Sequence, residues 1–274
     1  MNRALVLLIV SSAFLVASVS HAVVLVNEDF EGAFPPAGWT AVHNSGTGNF
    51  AFTSVTGHDG SGGSSGSAGH IGDSTSNNGD APAGWAQLPG TVDANYDWTL
   101  TADIKFEHEA SADDGGIFVG DLGPNRDFYY SFWTEADQNN DLIYHDNNVR
   151  QGGPNWLIDG HTSGLADDTW YQVTMNWTAA TETLDYDIST IGGTQRGSYS
   201  IVLDGSNPAS NPNPSLKSLA GGAIQIGIGT YNDRTSFDNV ALTSAAVIPE
   251  PSTLLVWSLL AGLGIGLAWR RRRK

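Results

Sequence analysis

Three carboxylates stand close together in the run D-I-K-F-E-H-E: Asp103, Glu107 and Glu109. On an extended chain, residues an even number apart share a face. Strand carboxylates at such short spacing serve as nucleophile and general acid in glycoside hydrolysis on sandwich scaffolds. The run lacks the Glu-x-Asp-x-x-Glu type pattern of such enzymes, and Lys105 stands among the acids as an ion-pair partner. The reading is a solvated strand face. No catalytic pair is identified; Asp103 or Glu107 are examples of the acids that a hydrolase built on this chain would use.

Cation chemistry has two candidate locations. Asp137-Gln138-Asn139-Asn140-Asp141 offers oxygen ligands at alternate positions. An EF-hand loop would need Gly at its sixth position and Glu at its twelfth, where this chain has Leu142 and Asn148. An Asx-rich hairpin turn is the better reading. The second location joins the two ends of the domain. Asp29 and Glu31 lie near its start, and Asp238 lies near its end in Phe237-Asp238-Asn239-Val240. Where the first and last strands of a domain lie side by side, such carboxylates could share one structural Ca²⁺. Alternation with Val240 and Leu242 turns Asp238 inward, where a carboxylate needs a partner.

Other reactive types form no constellation. The seven histidines are scattered without H-x-H or H-E-x-x-H spacing. No G-x-S-x-G elbow occurs. Cysteine is absent, which excludes thiol nucleophiles, Cys-based zinc sites and disulfides. Seven tryptophans lie before the C-terminal apolar segment. Most belong to a core. Trp85 in PAGWAQ and Trp156 in the loop GGPNWLIDG are the two expected at the surface, where flat rings stack on sugars.

The elements that must carry these residues read as strands. In Trp170–Ile188, Tyr171, Val173, Met175 and Trp177 alternate with polar residues; after a five-residue loop, Leu184, Tyr186 and Ile188 do the same. Period two on both sides of a short loop is a hairpin. Leu100, Ala102, Ile104 and Phe106 make another apolar face. Shorter strands are expected at Val24–Phe30, Ile117–Val119, Phe128–Trp133, Leu142–Tyr144, Tyr199–Leu203, Ala223–Ile228 and Ser236–Leu242. About ten strands predict an all-β, two-sheet β-sandwich. The low-complexity run Thr56–Gly84 is expected to be one long surface loop.

The two ends differ from this body. Arg3, the apolar stretch Ala4–Val19 and Ser20-His21-Ala22 form a secretory signal peptide, with cleavage after Ala22. Near the other end, Thr253–Trp269 is 17 residues without a charge. At ~1.5 Å per residue it would make a membrane helix at the short end of the range. Arg270–Arg273 and Lys274 follow, and such basic residues stay in the cytoplasm. The expected division is 1–22 signal peptide, 23–243 sandwich, 244–252 linker, 253–269 transmembrane helix and 270–274 tail, with the N-terminus outside. Between residues 23 and 248 six basic residues face 28 acidic ones, a net charge of −22. Such a surface repels nucleic acid and anionic lipid.

The tail Ile248-Pro249-Glu250-Pro251, Ser252-Thr253, apolar segment and basic block resembles the PEP-CTERM protein-sorting signal. Proline at 249 and 251 keeps Ile248 and Glu250 out of helix and the segment extended. The resemblance implies recognition by an exosortase at or near Pro249–Pro251. It further implies passage to the outer surface, or into the exopolysaccharide matrix, of a Gram-negative bacterium. Glu28–Trp39, the Trp170–Ile188 hairpin and the closing Ser236-Phe237-Asp238-Asn239-Val240-Ala241-Leu242 resemble concanavalin- or laminin-G-like jelly rolls of bacterial surface proteins. The expected function is a non-enzymatic structural or glycan-binding role outside the cell. The rival is a secreted glycan-active hydrolase.

Overall fold

In this computed structural model the described residues are 22–45, 50–58, 64–73, 83–107, 114–122, 129–135, 141–147, 155–161, 165–166, 168–204, 215–231 and 234–245. They fall in a compact unit, Val23–Ser244, apart from the flanking Ala22 and Ala245. The sorting residues Pro249, Glu250 and Pro251 and the apolar segment Thr253–Trp269 lie outside the described residues. Among the described residues no helix is long and apolar enough to cross a membrane.

Sixteen strands are described. The chain begins with β1 (Val23–Glu28), β2 (Thr40–Ser45), β3 (Phe50–His58), β4 (Ser64–Asp73), β5 (Ala83–Gln87) and β6 (Val92–Asp93). It continues through β7 (Trp98–Glu107), β8 (Asp114–Gly120), β9 (Tyr129–Glu135), β10 (Asp141–Asn147) and β11 (Asn155–His161). The last are β12 (Trp170–Thr178), β13 (Thr183–Thr190), β14 (Gln195–Val202), β15 (Ala223–Tyr231) and β16 (Arg234–Ser244), with a short 3-10 helix at Leu216–Gly222. One sheet runs β14-β13-β12-β7-β16-β4-β3, with β1 beside β16. The other runs β11-β10-β9-β8-β15-β5-β2, with β6 beside β15. All pairings are antiparallel.

The expected hairpin forms at its expected place. Trp170–Thr178 pairs with Thr183–Thr190 with Val173 opposite Ile188 and Trp177 opposite Leu184. Leu100, Ala102, Ile104 and Phe106 of β7 join these residues in one buried cluster with Ile117, Val119, Ile224, Ile226 and Ile228 of the second sheet. That cluster is the sandwich core, and burial of each large apolar side chain contributes on the order of 1.5–3 kcal/mol. At one end Phe30, Trp39 and Phe237 close it, with ring centroids 5.3 to 5.9 Å apart.

The expectation of one long loop over Thr56–Gly84 is corrected. Its middle is β4, which pairs with β3 on one side and β16 on the other. Glycine here is a packing device. A Cβ at Gly69 would stand 2.6 Å from the Phe237 ring, so the missing side chain makes room for an aromatic. Ala68 and Ile71 supply the buried contacts of this otherwise polar strand.

A bulge in β16 corrects a second expectation. Asp238 faces Asp103, yet Ala241 faces Thr101, so Asn239 is part of an extra residue's worth of chain at φ 48°. Phe237, Val240 and Leu242 therefore point into the core, and Asp238 shares the opposite face with Asp103. Simple alternation would have grouped it with Val240 and Leu242.

Candidate functional site

Asp103 lies between Ala102 and Ile104, so its side chain leaves the outer face of the first sheet. It was expected to be solvated, but it is 5% exposed. The cover is the end of β3. A register shift between Thr56 and His58 bends the β3–β4 hairpin, and Gly57 lies against Asp238; a Cβ there would sit 2.6 Å from Asp238 Oδ2. The His58 side chain, with no exposed area, reaches β7: Nε2 lies 2.9 Å from Asp103 Oδ2.

Around this pair the polar groups are matched. Asn239 Nδ2 donates to Asp103 Oδ2 at 2.9 Å, and Gln172 Nε2 donates to Asp103 Oδ1 at 3.3 Å. The backbone N–H of Asn239 donates to Asp238 Oδ1 at 2.7 Å, and that of His58 donates to Asp238 Oδ2 at 3.4 Å. The His58 ring lies 4.8 Å from the Trp170 ring, over which Lys105 Nζ also sits at 5.8 Å from the centroid. Burial raises the Asp238 pKa above its ordinary value of 3.8; the amides of Asn239 and His58 and the His58 charge act against that, and Asp103 adds to it. One row further along, His70 Nδ1 and Ser236 Oγ are 3.1 Å apart.

An imidazole held by a carboxylate is acid–base machinery when a substrate can reach it. Here the imidazole has no exposed area, and its neighbours are Asp103, Asn239 and Trp170. Charge-assisted bonds of this kind contribute about 1.5–3 kcal/mol each. The cluster is a fastener that holds the β3–β4 hairpin over β16, β7 and β12. Sequence reading missed His58, Gln172 and Asn239. The one signal was Asn239, a residue type that tolerates positive φ, inside an otherwise alternating strand; nothing local pointed to His58 or Gln172.

The remaining expected residues are placed as follows. Asp29 and Glu31 are exposed. Asp29 Oδ1 accepts from the Glu31 N–H, and Glu31 Oε1 accepts from the Ser67 N–H at 2.7 Å. β1 does lie beside β16, with Glu28 opposite Val240. Among the described residues no group of three or more His, Asp or Glu side chains could hold a metal ion. Glu107 ends β7, and Glu109 lies outside the described residues. Ala22 is exposed and immediately precedes β1.

The surface position expected for Trp85 is corrected. It is fully buried, with its ring 4.6 Å from Phe118 and Leu122 in the same small cluster. Glycines again explain it: a Cβ at Gly227 would meet the Trp85 ring at 2.7 Å. Trp156 belongs to β11, opposite His145 of β10, instead of to a loop.

The fold is thus an all-β, two-sheet antiparallel sandwich. In structure it is similar to basic winged bean lectin with Tn-antigen (TM-score 0.49, 10% identity, covering 82% of this chain and 98% of that chain). It is also similar to the Lotus tetragonolobus seed lectin (TM-score 0.49, 9% identity, 80% and 97%). A third similar structure is a carbohydrate-binding module from Bacillus subtilis (TM-score 0.44, 14% identity, 74% and 93%). These likenesses concern the course of the chain, and no ligand is read from them. In sequence, residues 247–273 match the PEP-CTERM protein-sorting motif. No curated protein matches the chain.

Proposed function

We propose that the protein is made for export, held at the membrane by its tail, and passed to the cell surface or extracellular matrix, where the sandwich binds carbohydrate without transforming it. The observation that carries this reading is the sorting motif at residues 247–273. The partner it calls for is an exosortase-type enzyme acting at Pro249–Pro251, with Ala22 the site of signal cleavage. The acidic exported part, with a net charge of −22 between residues 23 and 248, supports a partner that is neither nucleic acid nor anionic lipid. Deleting Pro249–Pro251 leaves full-length protein in the membrane fraction. Unchanged release would sink the sorting reading. Mass spectrometry of the mature termini from the host reports both cleavages at once.

A hydrolytic reading has one observation in its favour, the opposed carboxylates Asp103 and Asp238 beside His58. Glycan turnover that disappears in Asp103→Asn or Glu107→Gln, with melting unchanged, would replace binding by catalysis.

A further inference from the structure

Beyond the fastener, the outer face of the first sheet carries two cross-strand rows of short polar residues. In one row Thr99 of β7 faces Asn176 of β12, which faces Asp185 of β13. In the next, Thr101 faces Thr174, which faces Asp187. β16 continues these rows on one side with Thr243 and Ala241, and β14 on the other with Ser200 and Ser198. All ten side chains are exposed or half-buried. They are Thr, Ser, Asn, Asp and Ala alone: no Lys, Arg, Glu or aromatic interrupts the rows.

Three physical consequences follow. Rows of short side chains leave the surface even, with a step of about 4.8 Å between strands and roughly 6.7 Å between rows. Threonines are stiff at χ1, and Thr99 Oγ1 is further held by donating to Asn176 Oδ1 at 2.8 Å, so little side-chain freedom is lost on contact. The chemistry is that of hydroxyl recognition. Hydroxyls both donate and accept, and ionised Asp185 and Asp187 accept strongly from donors. With no cation in the rows and a net −22 on the exported part, a polyanion is repelled.

We propose that this face docks a neutral polysaccharide whose chains lie along the two rows, with Asp185 and Asp187 accepting from sugar hydroxyls. The proposal rests on the carbohydrate-binding reading above and assigns it a surface. The test is co-sedimentation of the full-length protein in detergent with microcrystalline cellulose and with insoluble chitin. The wild type sediments with at least one of them. Thr174→Lys, which raises a long charged side chain in the middle of the face, weakens binding by about tenfold, the equivalent of ~1.4 kcal/mol. Ala166→Lys, an exposed position outside the two rows, leaves it unchanged. Should Thr174→Lys melt early, the near-isosteric Asp187→Asn serves in its place, with binding expected to weaken in the same direction. Unchanged binding in the folded face variants overturns this surface while carbohydrate binding stands. Binding to neither solid overturns both, leaving the sorting reading to its own tail-deletion test. Sedimentation with carboxymethyl-cellulose beads, an insoluble polyanion, would refute the charge argument, and arrest of ice recrystallisation without polysaccharide binding would reassign the face to ordered water.

Discussion

Asp103, Asp238 and His58 show how strongly one buried contact depends on its neighbours. Replacing Asp103 with Ala removes the acceptor of His58, Gln172 and Asn239 together. The expected loss is about 3–5 kcal/mol, because polar partners are left buried and unmatched. Chemical denaturation measures it, and a cycle with His58→Ala gives a coupling energy of roughly 0.5–3 kcal/mol if the two act as a unit. Asp238 supplies a pH signature. Its pKa is raised in the folded state by burial, so above the unfolded value of 3.8 the folded chain holds a proton that the unfolded chain has lost. Stability from this group therefore falls as pH rises from the unfolded pKa through the folded one. Asp238→Asn loses less stability than the wild type between acid and neutral pH. Parallel melting curves of the two proteins across that range would refute the assignment.

At the scale of elements, glycine is the residue that hid the most. β4 is Ser-Ser-Gly-Ser-Ala-Gly-His-Ile-Gly-Asp, and nothing in that composition reads as a strand. Its place is decided by Phe237, whose ring occupies the volume that a side chain at position 69 would need. Gly69→Ala accordingly destabilises by about 1–3 kcal/mol through overpacking, measured as a lowered denaturation midpoint. A change at Gly229 is harsher still, since its Cβ would come 2.1 Å from the backbone oxygen of Gly84. The strands β7, β12 and β13 were legible because their apolar residues recur at every second position; the burial of Asp103 on the outer face of β7 was not, since it depends on His58 from β3. Trp85 was not legible: a tryptophan flanked by Gly and Ala looks like an exposed ring until the neighbouring strand β15 turns out to offer Gly227 and Gly229 against it.

For the whole molecule, β1 and β16 close the sandwich side by side, and Val23 is the register partner of Ser244. Both ends of the domain therefore leave from one end of one sheet. Truncation into β1 removes the buried Val26, breaks the pairing along β16 and uncovers Leu242, so a chain beginning at Asn27 melts well below one beginning at Val23. Differential scanning calorimetry compares the two. Equal melting temperatures would show that β1 contributes nothing to closure. Trimming the tail after Ser244 has the opposite expectation, because β16 already ends there.

The sequence by itself determined the all-β class, the central hairpin and the sorting motif, because each is written in local order: period-two alternation, or a contiguous Pro-Glu-Pro, apolar and basic series. Tertiary structure alone decided the rest. It turned a glycine-rich run into a paired strand, placed Asp238 opposite Asp103 through one bulged residue, brought His58 across 45 positions to Asp103, and aligned hydroxyls from separate strands into rows. Those outcomes depend on register and on the volumes of side chains distant in sequence, and no local pattern encodes either.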